Sequence, residues 1–319
     1  PVPNTGRFYY SRFARIVPSY LFSVLVMLFC VALPLGTYRD DAARNFDILT
    51  HLTFTFTFFR ETYVFTPLNV VLWTVAIEMQ FYLIFPLLVR AMRKAPTVTL
   101  CVMGAAGILF RTVLAVRVTD LTVLLNQMPA FLDVYALGML GAIAYVRLDR
   151  RLNNAPKGDA LRVAVRLAAV ALFALGVFAL QRLLRTQADN GLLGHEQLRL
   201  SQWALRLPLA VTFLTLMLAA TFMPRPLQKL LDNRLMRFLA AISFNLYIWH
   251  QALSVLVARG LYPATLHSDT QLQQSFTLLC YCLSIVAAMA ATYGVEQPAA
   301  RAMERLYQKH IVHKGAKQT

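Results

Sequence analysis

A chain of 319 residues that is 58% hydrophobic and only 14% charged, with a mean hydropathy of +0.55, has the composition of a polytopic membrane protein and not of a soluble domain. Its net charge of +16 sits in short basic clusters between long apolar runs. With no soluble domain to carry a basic face, this argues against nucleic acid and for a topology signal together with contact to anionic membrane lipid.

The chain opens Pro1-Val2-Pro3, without initiator methionine, charged leader or cleavage signature, which leads us to expect a fragment whose first part is missing. A first span is predicted over 16–36, preceded by Arg7, Arg12 and Arg15. Residues 47–59 are apolar but too short to cross, and rich in Thr, so they read as a re-entrant or interfacial piece. Further spans are predicted over 67–89, 97–116, 129–146, 161–183, 204–223, 238–258 and 275–295, followed by a basic tail over 296–319. The fold class is therefore all-α: a polytopic transmembrane bundle of eight spans plus one short helix, in a single membrane domain. Counting Lys and Arg in alternate connections puts both termini of this chain in the cytoplasm. The cysteines Cys30, Cys101, Cys280 and Cys282 fall inside apolar runs without metal-ligand spacing and read as small core residues.

The second span carries an acid, Glu78, near its middle. A carboxylate at that depth is costly unless protonated, paired or facing water, so it marks a buried polar site. Helical spacing puts Thr74, Glu78 and Tyr82 on one stripe. His250 lies at similar depth in the seventh span, on a stripe of Ser243, Tyr247, His250 and Ser254 expected to face the bundle interior. Proton transfer or substrate hydrogen bonding is one reading of His250; a neutral histidine bonded to a neighbouring helix is the other. Arg12 and Arg15, three apart, suit bidentate contact with phosphates or simple anchoring beside lipid headgroups. Arg111 and Asp133 are expected to pair across the hairpin of consecutive spans, and Gly138, Gly141 and Ala142 to form a small-residue helix contact. His51 and Asn69 flank the outer mouth of the Glu78 helix. His310 and His313, two histidines alone, do not make a metal site.

Several segments together resemble acyltransferase family 3, the integral-membrane O-acyltransferases of bacterial surface polysaccharides. Arg12-Phe13-Ala14-Arg15-Ile16-Val17-Pro18-Ser19-Tyr20 is similar to its R-x-x-R-I-x-P-x-Y segment, and Leu72-Trp73-Thr74-Val75-Ala76-Ile77-Glu78-Met79-Gln80-Phe81-Tyr82 to its W-S-L-A-x-E-x-Q-F-Y helix. Gln127-Met128-Pro129-Ala130-Phe131 with Gly138, Ser243 to His250, and Glu296-Gln297-Pro298 follow in the family's order. Thr74 stands where Ser is common, Met79 where a second acid is common, and Ala252 where proline is frequent. The family usually has ten spans, with a catalytic histidine in the first; the resemblance here begins at the third, and no residue takes that histidine's place by position.

The resemblance implies transfer of an acyl group, most often acetyl, from cytoplasmic acyl-CoA as donor substrate to a hydroxyl of a cell-surface or exported glycan, at the bacterial cytoplasmic (inner) membrane and without a bound cofactor or metal. It implies donor binding by Arg12 and Arg15, proton handling or orientation by Glu78 and His250, and a substrate path along Trp73, Thr74, Gln80, Tyr82 and Tyr247. Two other readings stay open: a proton-coupled transporter or lipid-linked-sugar flippase using the same buried acid and imidazole, and an inactive truncated form lacking the catalytic histidine.

Overall fold

The structure, a computed structural model, describes residues 5–154, 156, 159–261 and 270–315. Among these there is no strand. The α-helices are α1 (Thr5–Met27), α2 (Asp41–Leu52), α3 (Arg60–Tyr63), α4 (Trp73–Lys94), α5 (Pro96–Arg117), α6 (Leu132–Asn154), α7 (Ala160–Leu192), α8 (His195–Phe222), α9 (Arg225–Leu231), α10 (Arg234–Leu261), α11 (Thr270–Ala291) and α12 (Gln297–Gly315). Among the described residues, eight helical stretches are long and apolar enough to cross a membrane: Thr5–Ala32, Val70–Lys94, Pro96–Arg117, Met128–Asn154, Ala160–Leu192, Trp203–Phe222, Arg234–Arg259 and Gln271–Lys309. The short piece expected over 47–59 is not one helix: α2 starts earlier, capped by Asp40, whose carboxylate accepts from Ala43 N at 2.7 Å, and stops at Leu52, after which a 3-10 helix, Phe56–Phe58, follows.

The chain packs as two compact units, Pro1–Leu83 with Arg237–Thr319, and Ile84–Met236. In the first, α1 lies against α12 and against a π-helical turn, Thr292–Glu296, that joins α11 to α12. The first helix starts at Thr5, well before the predicted 16, so Arg7, Arg12 and Arg15 lie within it. The extension is held by α12: Tyr10 Oη donates to the Met303 carbonyl, and Arg7 pairs with Glu304 at 3.1 Å. Hydropathy alone ends the span at its last apolar residue, whereas backbone hydrogen bonding carries the helix through the polar turns beyond. Fully buried Tyr20, Leu68, Leu72, Ile242 and Ile248 form the interior of this unit.

The second unit is built from the hairpins α5–α6 and α7–α8, with α6 also against α8. Arg111 and Asp133 pair as the spacing predicts, through two bonds of 2.7 and 2.6 Å, at 3% and 2% residue exposure. Gly107 permits the approach, since a Cβ there would lie 2.7 Å from the Asp133 backbone nitrogen. Of the predicted small-residue contact, Gly141 meets the Leu214 side chain, while Gly138 has open space beside it. Only Cys280 of the four cysteines is buried; Cys30, Cys101 and Cys282 face outward. An apolar run in a spanning helix is apolar on its lipid-facing and helix-facing sides alike, so composition cannot tell the two apart. The side chains of His310 and His313 lie outside the described residues.

Candidate functional site

The predicted site residues all belong to the first unit, and α4 links them. Thr74, Glu78 and Tyr82 occur at intervals of four, so a single stripe runs about 12 Å along the helix at 1.5 Å per residue. At its lower end Tyr82 Oη donates a short hydrogen bond to the Glu78 carboxylate. The Arg12 guanidinium lies over the Tyr82 ring, 5.2 Å from its centroid, and 5.5 Å from that of Phe8, whose ring meets Tyr82 edge-on at 5.8 Å. Two aromatic rings thus attract the cation from two sides. Arg15 is close enough to act electrostatically on both Tyr82 and Glu296.

At the upper end, Thr74 Oγ1 bonds Tyr247 Oη at 3.0 Å, and the same phenol donates to the Val71 carbonyl at 3.3 Å. One turn on from Tyr247, His250 is exposed, with Nδ1 2.6 Å from the Tyr247 carbonyl. A carbonyl only accepts, so Nδ1 carries a proton, which leaves Nε2 as the ring nitrogen able to accept one. The line therefore reads Arg12, Tyr82, Glu78, Thr74, Tyr247, His250. Trp73 sits half-buried beside Thr74 at the first turn of α4. Gln80 turns away from the line: its Nε2 donates to the Phe54 carbonyl at 3.1 Å and bonds Thr57, fixing the turn that follows α2.

Glu78 and His250, both read as handling protons, share no hydrogen bond or ion pair. Their helices are the second and seventh of eight alternating spans and run oppositely, so Glu78 lies one turn to one side of the Thr74–Tyr247 contact and His250 one turn to the other, roughly 10 Å apart along the axis. The stripe of Ser243, Tyr247, His250 and Ser254 also does not face inward. The buried face of α10 is Ile242, Asn245, Ile248, Trp249 and Ala252, while Ser243 and His250 are exposed and Tyr247 is 37% exposed. The polar residue this helix buries is Asn245, whose Nδ2 donates to Glu296 Oε2 at 2.6 Å and bonds Thr292 Oγ1 at 2.9 Å. Both partners come from the π-helical turn, whose extra residue re-aims side chains relative to a regular helix.

Sequence reasoning missed a carboxylate–imidazole pair elsewhere. His51 is fully buried and stacked on Phe56 at 4.0 Å, and its Nδ1 donates to the Asp47 carbonyl at 2.9 Å with Asp47 Oδ1 at 3.1 Å. The proton aims at the carbonyl, so Oδ1 is close without being hydrogen-bonded, and His51 Nε2 also has no partner. Asp47 Oδ2 accepts from Tyr38 Oη at 2.9 Å and Thr66 Oγ1 at 2.8 Å. Burial first, and then the Asp47 carboxylate, raise the Tyr38 hydroxyl well above the ordinary tyrosine range, so it stays a donor. The Asp-x-x-x-His spacing, which puts both on one face of α2, was the available signal. Asn69, the other outer-mouth residue, holds φ at +155° and bonds Ser23 Oγ at 3.0 Å and the Ile248 carbonyl at 2.9 Å. Two bonds from one amide hold this sparsely populated backbone conformation in place.

No curated protein and no solved structure matches the sequence. Residues 3–293, nearly the whole length, match the family model described as an acyltransferase domain. By that match, and with eight apolar helices among its described residues, the chain belongs to acyltransferase family 3 and is an integral-membrane acyltransferase.

Proposed function

We propose that the protein moves an acyl group, acetyl in the simplest case, from acyl-CoA on the cytoplasmic side to a hydroxyl of a cell-surface or exported glycan. The observation that carries this reading is the line from Arg12 to His250, with guanidinium groups at one end and a basic imidazole nitrogen at the other. Arg12 and Arg15 take the donor's phosphates, since planar guanidinium groups match phosphate geometry. The acceptor hydroxyl approaches His250, whose Nε2 accepts its proton as the oxygen attacks the thioester carbonyl. The hydroxyls of Thr74 and Tyr247 lie between and hydrogen-bond the carbonyl oxygen as charge builds on it. The carbon–sulfur bond breaks, the thiolate leaves past the Glu78–Tyr82 pair and takes a proton from water at the donor end, and His250 releases the proton it accepted to water at the acceptor end. Membership in an acyltransferase family favours this chemistry over the transport reading of the same residues. By positive-inside counting, the chain sits in the bacterial cytoplasmic membrane with its termini in the cytoplasm.

The test is transfer of label from radiolabelled acetyl-CoA to glycan in membrane vesicles that contain the acceptor. Glu78→Gln and His250→Gln, each present in the membrane at the normal level, are expected to lower the rate by about 10²-fold or more. Full activity in either variant overturns that residue's role. Label crossing the membrane without joining glycan overturns the transferase reading.

A further inference from the structure

A cavity of about 770 Å³ opens in the second unit between α6, α7, α8 and α9. It plays no part in the site described above. Four cations line it in two pairs, each four residues apart on its own helix: Arg162 and Arg166 on α7, Arg225 and Lys229 on α9. That spacing turns both members of a pair to one face. Arg162 is partly buried and donates to the Leu152 carbonyl at 2.6 Å. Arg166, Arg225 and Lys229 are exposed and make no ion pair among the described residues. Two acids share the lining, Asp149 and Asp232, and Asp149 accepts from Asn153 at 3.0 Å. Four cations against two acids leave the cavity net positive. The rest of the lining combines polar Asn153, Thr221 and Gln228 with an apolar side that includes Leu152, Met223 and Leu231 and the touching rings of Tyr145 and Phe222, their centroids 5.7 Å apart.

The position of the cavity favours one occupant. It lies where three spans end, at Asn154, Ala160 and Phe222, which is the depth of the headgroups. The short helix α9 has the pattern of a segment lying in the interface. Gln228 Nε2 ties it to the end of α8 through the Thr221 carbonyl at 2.7 Å. Arg225 and Lys229 then line the cavity, while Leu227 and Leu230 are exposed at 37% and 68% beside it. Cations beside an apolar side of the lining, at the ends of spanning helices, match a phosphodiester that carries acyl chains. We propose that this cavity binds the headgroup of an anionic phospholipid, with Arg166, Arg225 and Lys229 on its phosphate. This is independent of the transferase reading.

The experiment is native mass spectrometry of the full chain in neutral detergent, titrated with phosphatidylglycerol and, separately, phosphatidylcholine. The wild type is expected to prefer phosphatidylglycerol. Arg166→Glu/Lys229→Glu is expected to lose that preference by about tenfold or more, and Arg90→Glu/Arg93→Glu, at another basic cluster, to keep it. If the first variant does not give normal helical circular dichroism and a single elution peak, Arg225→Gln/Lys229→Gln replaces it. Lys229→Arg, which keeps the charge, should retain the preference. An unchanged preference in the cavity variant, or an equal loss in both pairs, overturns the site. Displacement of phosphatidylglycerol by millimolar inorganic phosphate, with phosphate alone raising the melting temperature, assigns the cavity to a soluble phosphate compound and overturns the lipid.

Discussion

Single residues here are decided by which partner a polar atom finds. Asn245 and His250 stand five apart on the same helix, yet one is fully buried and bonded to Thr292 and Glu296 while the other is exposed. Around Asp47, Tyr38 and Thr66 both donate to the same oxygen. Tyr38→Phe is expected to destabilise by about 1 kcal/mol, the usual net worth of one hydrogen bond. The raised ionisation of Tyr38 gives the effect a pH signature. A group raised on folding contributes stability that is complete below its unfolded value, here the ordinary 10.0, and lost as pH rises beyond it. Melting temperatures between pH 7 and 11 should therefore fall more steeply above pH 10 for the wild type than for Tyr38→Phe. Parallel curves would remove Tyr38 from the network.

At the scale of elements, close helix approach rests on a few glycines of unequal tolerance. At Gly107 a Cβ would meet the Asp133 backbone nitrogen and, at 2.9 Å, its Oδ1, neither of which can move without breaking the buried pair with Arg111. At Gly141 and Gly176 the obstacles are the ends of Leu214 and Leu216, which can rotate away. Gly107→Ala should therefore lower the melting temperature in detergent clearly more than Gly141→Ala; equal effects would show that α5 and α6 can part without penalty. The pair itself should behave as buried pairs do. Arg111→Met alone leaves an uncompensated carboxylate and costs about 3–5 kcal/mol, whereas Arg111→Met/Asp133→Leu recovers most of that. The double variant melting no higher than the single would refute this account. Pairing was legible in sequence because both charges lie at the same depth on consecutive spans, where each has little choice of partner.

At the scale of the whole molecule, eight apolar helices and alternating basic connections prescribe a topology that fusions can read. Green fluorescent protein joined after Lys309 should fluoresce, and alkaline phosphatase joined after Thr122 should be active, whereas the phosphatase joined after Lys94 should not. The opposite pattern would invert every connection and move Arg12 and Arg15 to the outer face. Membership in acyltransferase family 3 rests on residues 3–293 as a whole, since each motif is short and only their order along the chain is distinctive.

The sequence by itself determined the all-α class, eight helices long and apolar enough to cross a membrane, the Arg111–Asp133 pair and the stripe of Thr74, Glu78 and Tyr82. Each follows from hydrophobic length, from the cost of charge at depth, or from a helical period within one element. Only the tertiary structure decided which face of α10 is buried, that Asn245 and not His250 fills it, and that Gln80 serves a turn. It alone also brought Arg12 onto Tyr82 and Thr74 onto Tyr247. The physical reason is the same in each case. In a membrane span both faces are apolar, so the direction a side chain points is set by neighbouring helices distant in sequence, and a single chain's pattern carries no record of them.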